Sequence, residues 1–102
     1  MKGFEQVRSI MKLAPILATS GVNARMEENA PFARRVATLV HRFAQDDWGD
    51  MDAEDMETNR SMARALRSGG GGTVMGSYGK GKYKVWIIQN EESTTVLFPD
   101  EY

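Results

Sequence analysis

Seven carboxylates, Asp46, Asp47, Asp50, Asp52, Glu54, Asp55 and Glu57, fall in the stretch "QDDWGDMDAEDMETN", residues 45–59, with no Lys or Arg among them. Carboxylates at this density suit three kinds of chemistry: divalent-cation binding, general acid–base catalysis, and contact with a basic partner. An EF-hand loop needs glycine at its sixth position for a sharp turn and glutamate at its twelfth. Counted from Asp50, Asp55 stands at the sixth position and Ser61 at the twelfth, so that motif fails twice. A catalytic carboxylate pair needs burial or a neighbour that shifts one pKa. Seven acids in a very polar window imply solvation instead, and no catalytic residue is assigned.

Part of the run has a local reason. The N-terminus of a helix attracts negative charge through its dipole and its free N–H groups. Asp50 or Asp52 can cap, and Glu54 or Asp55 can sit in the first turn. That accounts for two or three of the seven. The surplus is either the solvated face of a capped helix start or a contact surface for a protein partner with a basic surface, with Trp48 as an anchor; the functional expectation rests on the second.

A second stretch imitates a known site. "GSYGKGKY" reads G-x-x-x-x-G-K from Gly76 to Lys82, most of a phosphate-binding loop, but Tyr83 stands where Ser or Thr must hold magnesium. That loop must also lead into a helix, and here "YKVWII" follows, a strand pattern. The stretch is expected to be a hairpin turn. Its lysines Lys80, Lys82 and Lys84 form a secondary basic tip that can touch phosphate or acid. His41 is the only histidine and the chain has no cysteine, which excludes disulfides, thiolate zinc and cysteine nucleophiles. No metal and no cofactor is expected. Trp86 is expected to pack in the core, although a tryptophan can also anchor an interface. Asn59 is a polar residue on an apolar helix stripe, so if buried it must find partners, such as backbone groups of a neighbouring loop.

These residues need a frame. A chain of 102 residues builds one domain with one modest core. The content, 41% hydrophobic and 26% charged, is that of a globular protein. The longest apolar runs are too short to span a bilayer, and "MKGFEQVRSIMK" has no apolar h-region. No membrane association is expected, and the cytoplasm is the expected location. The net charge of −1 conceals an asymmetry: residues 46–57 carry seven acids and no base, while the segments on both sides are net basic. Such a pattern bears on partners more than on fold.

The period of the apolar residues divides the chain into a helical part, 1–67, a glycine-rich link, 68–72, and a β-meander, 73–98. Phe4, Val7, Ile10 and Met11 recur at helical spacing. "LAPILAT" is apolar, but Pro15 bars a central strand, so an edge strand or extended segment fits. Thr19 or Ser20 can cap a short helix through Val22 and Met26. Asn29 and Pro31 then start a helix whose stripe is Phe32, Val36, Leu39, Val40 and Phe43, and Trp48-Gly49 breaks it. The next helix runs from Asp50 or Asp52 to about Arg67, with Met56, Asn59, Ala63 and Leu66 on one face. "SGGGG" reads as a flexible link. "TVMGSY", "YKVWIIQ" and "STTVLF" alternate as strands. The expected fold is α+β: N-terminal helices packed on a C-terminal three-stranded antiparallel meander.

The order "LATSGV", "DWGDMDAEDMETN", "SY", "WII", "TTVLFPDEY" resembles a family of small proteins carried on plasmids, phages and other bacterial mobile elements. The likeness covers roughly residues 13–102. Trp48, Gly49, Asn59, Ser77, Tyr78, Trp86, Thr94, Thr95, Pro99, Glu101 and Tyr102 fall on the family pattern. "IIQNEES" replaces its "ITEADRS" turn, "SGGGG" lengthens the link, and the N-terminal helix is an addition. The resemblance implies a context: small mobile-element proteins without catalytic motifs are often inhibitors of host defence, including anti-CRISPR proteins, or accessory regulators. That is an argument by analogy.

The expected function is therefore non-enzymatic, stoichiometric binding of a protein, such as a CRISPR effector or another nucleic-acid-handling complex. Helices rise about 1.5 Å per residue and duplex DNA presents one charge per about 1.7 Å, so an acidic helix start can compete for a basic channel. The alternative is a small nucleic-acid-binding or regulatory accessory protein using Arg34, Arg35, Arg42 and the hairpin lysines.

Overall fold

The structure, a computed structural model, describes residues 15–102; the helix expected over Phe4 to Met11 lies outside the described residues. The chain begins there with β1 (Ile16–Ala18), then runs through three helices, α1 (Ser20–Glu28), α2 (Ala30–Ala44) and α3 (Ala53–Arg67). It ends in β2 (Val74–Tyr78), β3 (Val85–Gln89) and β4 (Thr94–Leu97), with 3-10 turns at Gly81–Tyr83 and Pro99–Glu101. The class is α+β, but the sheet has four strands in the order β1-β4-β3-β2. The antiparallel β2-β3-β4 meander is present. β1 joins it parallel to β4, so the sheet is mixed and the helices do not come first.

Proline explains how β1 fits. It cannot donate to a ladder but can accept from one. The Pro15 carbonyl accepts from Thr94 N–H at 2.8 Å, and Thr19 N–H donates to the Val96 carbonyl at 3.0 Å. "ILA" is a strand because β4 lies beside it, a non-local cause that a three-residue pattern does not carry.

The strand register places Gly76 and Tyr78 of β2, Val85 and Ile87 of β3, and Val96 of β4 on one face. That face packs against Val22 of α1, Val36, Leu39 and Phe43 of α2, Trp48, and Ala63 of α3. Burying a side chain such as Leu39 or Phe43 contributes about 1.5–3 kcal/mol. α2 begins as its sequence signal requires, with the Asn29 carboxamide accepting from Phe32 N–H at 3.0 Å. It ends at Ala44, before Trp48, because Asp46 takes a left-handed φ of 64° and reverses the chain. α3 is capped by Asp52, which accepts from Asp55 N–H at 2.8 Å.

The glycines after α3 are only partly a link. Gly69 has φ 88°; its N–H reaches the Leu66 carbonyl, and Gly70 N–H reaches the Ala65 carbonyl. These two bonds make a Schellman cap, with a left-handed residue at the helix exit. Gly72 lies against Met62, whose sulfur would sit 3.1 Å from an added Cβ.

Candidate functional site

β2 is an outer strand, so one row of its main-chain groups turns away from β3. An unpaired row of this kind is an adhesive edge unless something closes it. Two segments singled out in the sequence close it here. The Asn59 carboxamide acts as a surrogate strand residue: its Nδ2 donates to the Met75 carbonyl at 2.8 Å, and its Oδ1 accepts from Met75 N–H at 3.2 Å. That answers why a buried asparagine sits on an apolar stripe. Two residues on, the loop between α2 and α3 forms a parallel bridge, Gly49 to Ser77. Ser77 N–H donates to the Trp48 carbonyl at 2.9 Å, and Asp50 N–H donates to the Ser77 carbonyl at 2.6 Å.

Gly49 makes that approach possible. Its φ is 74°, and a Cβ added there would collide with the Ser77 carbonyl oxygen and lie 2.6 Å from the Tyr78 ring. Trp48 is 4% exposed and belongs to the core. The contact-anchor role expected for it is corrected: the parallel bridge turns the indole inward.

The acids of the loop have structural partners. Asp46 pairs with Arg67 through two bonds, one from Nη1 at 3.0 Å. Asp47 receives Arg42 Nε at 2.7 Å and Nη2 at 3.1 Å, and also Gly49 N–H at 3.2 Å. The Arg42 hydrogen bond is the main reason the Asp47 carboxyl titrates below the usual carboxylate range, despite an opposing desolvation effect. The Asp50 carboxylate accepts from Gly79 N–H at 3.2 Å. Asp52 is the cap of α3, and Glu57 pairs with Arg60 at 2.6 Å. Glu54 and Asp55 lie exposed in the first turn of α3, with no side-chain hydrogen bond among the described residues. Most of the surplus beyond capping is thus engaged within the fold.

Tyr78 is enclosed by this arrangement. Its hydroxyl donates to the Asp47 carbonyl at 2.7 Å, and the Arg42 guanidinium stands 5.1 Å from its ring centroid. Burial, reinforced by the Asp47 charge, pushes the phenol pKa up, so it stays protonated and donates. His41 lies exposed on α2, 3.1 Å from Gln45 Nε2. No three of the described His, Cys, Asp or Glu side chains converge as a cation site requires.

The hairpin between β2 and β3 holds the basic tip. Gly79 and Gly81 take φ 86° and 58°. Lys80 and Lys82 are exposed, and Lys84 is half-buried. Arg35 reaches across from α2, its Nη1 donating to the Tyr83 carbonyl at 3.0 Å. Arg35 of the helix and the hairpin lysines therefore share one end of the molecule. The Tyr83 ring is 63% exposed, with Lys82 Nζ 5.4 Å from its centroid; the sequence reading gave this ring no role beyond its failure as a magnesium ligand.

A third cluster was missed in sequence. Glu101 holds the N-terminus of α1: its Oε1 accepts from Thr19 Oγ1 at 2.6 Å and Phe98 N–H at 3.0 Å, and its Oε2 from Gly21 N–H at 2.9 Å. The Thr19 hydroxyl is the largest reason its carboxyl titrates low. A Cβ on Gly21 would lie 2.5 Å from Oε2, so glycine follows the cap for lack of space. Its partners on α1, Thr19 and Gly21, lie some 80 residues away, so no local pattern marks Glu101 as their holder. Trp86 is half-buried on the sheet face away from the helices, where Tyr102 meets it edge-on at 5.9 Å.

Family models, curated proteins and solved structures give no match to this chain.

Proposed function

We propose that this chain is a non-enzymatic binding protein of a bacterial mobile element. It acts by stoichiometric contact with a protein partner that carries a basic surface, such as a CRISPR effector or another nucleic-acid-handling complex. One observation supports binding over turnover. Four of the seven carboxylates in the run are each fixed to an arginine or a main-chain N–H: Asp46 on Arg67, Asp47 on Arg42, Asp50 on Gly79 and Asp52 on Asp55. The Asp47 carboxyl, held ionised mainly by the Arg42 hydrogen bond, is a poor proton donor. The mobile-element context rests on the resemblance of the "DWG" and "TTVLFPDEY" segments.

The contact surface is narrower than the whole acidic run. Glu54, Asp55 and Glu57 project from the start of α3 with exposed side chains. Pairing with Arg60 leaves the Glu57 side chain 68% exposed, and pairs this open to water hold their partners weakly. A basic channel offers more charges at once and would compete for them. Asp46, Asp47 and Asp50 set the height and angle of this helix start rather than meeting the partner.

The test is capture of purified, nucleic-acid-free effector complexes by tagged protein, wild type against Glu54→Lys/Asp55→Lys/Glu57→Lys. The proposal expects a saturable complex of fixed stoichiometry that weakens at least about tenfold in the variant, since like charges across an interface cost several kcal/mol. Circular dichroism must show the variant folded. Equal capture by the two proteins would place the contact elsewhere.

A further inference from the structure

The hairpin at the end of β2 is built as a contact surface of the opposite sign. Among the described residues the ion pairs are Arg42–Asp47, Arg60–Glu57 and Arg67–Asp46. Arg35, Lys80, Lys82 and Lys84 have none. Arg35 makes a hydrogen bond, but to a neutral carbonyl, that of Tyr83, so its charge is not cancelled. The acid nearest the hairpin, Asp50, is turned onto Gly79 N–H at the base of the loop.

The same bonds fix the shape of the tip. Gly79 N–H is held by Asp50, the Tyr83 carbonyl by Arg35, Tyr83 N–H by the Lys80 carbonyl at 3.1 Å and Lys84 N–H by the Gly81 carbonyl at 3.1 Å. The left-handed turns at Gly79 and Gly81 allow this compact form. A loop ordered before binding loses little entropy on binding. At its end the Tyr83 ring stands 63% exposed, between two lysines in sequence, with the Lys82 ammonium over one of its faces.

We propose that residues 79–84 together with Arg35 form a contact site for single-stranded nucleic acid. The chemistry is a short row of cations for the phosphates with one aromatic face for a base. That pairing is how sequence-tolerant single-strand binders work. A duplex keeps its bases stacked and offers the ring nothing. An anionic membrane offers charge but no stacking partner. A rigid hairpin tip with one ring and three or four cations fits two to four nucleotides of an extended strand. The site shares no residue with the acidic start of α3, so separate variants test each.

The test is fluorescence anisotropy of a labelled oligothymidylate of about twelve nucleotides with the full chain at low salt. Log affinity should fall against log salt with a slope of about −2 to −3, as three or four phosphate contacts to a single strand require. Tyr83→Ala should weaken binding about tenfold while Tyr83→Phe retains it. Lys80→Glu/Lys82→Glu should abolish it, with the thermal melt unchanged. Three results overturn the proposal. One is no salt-sensitive binding. Another is binding that survives the double reversal, which puts the cations elsewhere. The third is binding that ignores Tyr83→Ala and is matched by phosphatidylserine vesicles, which reduces the tip to nonspecific charge.

Discussion

The acidic loop at residues 46–52 and the basic hairpin at residues 79–84 meet at one edge of the sheet, where the Asp50 carboxylate holds Gly79 N–H. They use charge in opposite ways. In the loop, charge is consumed: Arg67, Arg42, Gly79 N–H and the N-terminus of α3 each take one carboxylate. In the hairpin, the charged side chains carry no ion pair among the described residues, and main-chain bonds set the shape. A dense run of one sign is therefore not by itself a binding surface. Whether the fold supplies counter-charges decides how much of it reaches the solvent.

On that contrast, substitutions in the loop and at its contacts cost stability and those of the hairpin lysines do not. The largest expected effect is at Gly49. Alanine there must hold a left-handed φ and displace the Ser77 carbonyl and the Tyr78 ring, so Gly49→Ala should lose about 3 kcal/mol or more in urea unfolding. Asn59→Ala comes next. It strips the Met75 N–H and carbonyl of their partners, at about 2–4 kcal/mol for the two groups; a loss under 1 kcal/mol would mean that water replaces the carboxamide.

The pH dependence gives a smaller effect of defined sign. Asp47 and Glu101 both titrate below the usual carboxylate range in the folded chain. Their contribution is present above the unfolded carboxylate pKa of about 4 and is lost as pH falls through the folded values. A thermal midpoint that is level from pH 7 to 5 and drops below about pH 4 is expected. Asp47→Asn should shrink only part of the drop, by about 0.5–1 kcal/mol, because the Arg42 pair is roughly half exposed. The smallest effect is expected at Lys80→Glu/Lys82→Glu, within about 0.5 kcal/mol of wild type.

The contrast also marks how far the sequence could be read. Stretches whose structure follows from near neighbours were legible: the Asn29 cap and stripe of α2, the Asp52 cap of α3, and the alternation of β2, β3 and β4. Asn59 was legible as an anomaly, since a polar residue on an apolar stripe demands partners, and a neighbouring backbone supplied them. What stayed hidden depends on pairs remote in sequence. β1 reads as an edge strand or extended segment from its sequence, but its parallel place beside β4 does not. Arg67 meets Asp46 across 21 positions, and Glu101 meets Thr19 across 82. Arg42 and Asp47 are only five residues apart, yet they meet because α2 ends early and Asp46 turns the chain left-handed. Counting acids could not show which were already engaged.

The charge of the loop at residues 46–52 is structural and that of the hairpin is not. Urea unfolding of two matched double variants, Asp47→Ala/Asp50→Ala and Lys80→Ala/Lys82→Ala, tests it most directly. The first removes the acceptors for Arg42, Gly49 N–H and Gly79 N–H and should lower stability by about 2 kcal/mol with an unchanged urea slope. The second should stay within about 0.5 kcal/mol of wild type. Equal losses, or a larger loss in the lysine variant, would contradict the claim.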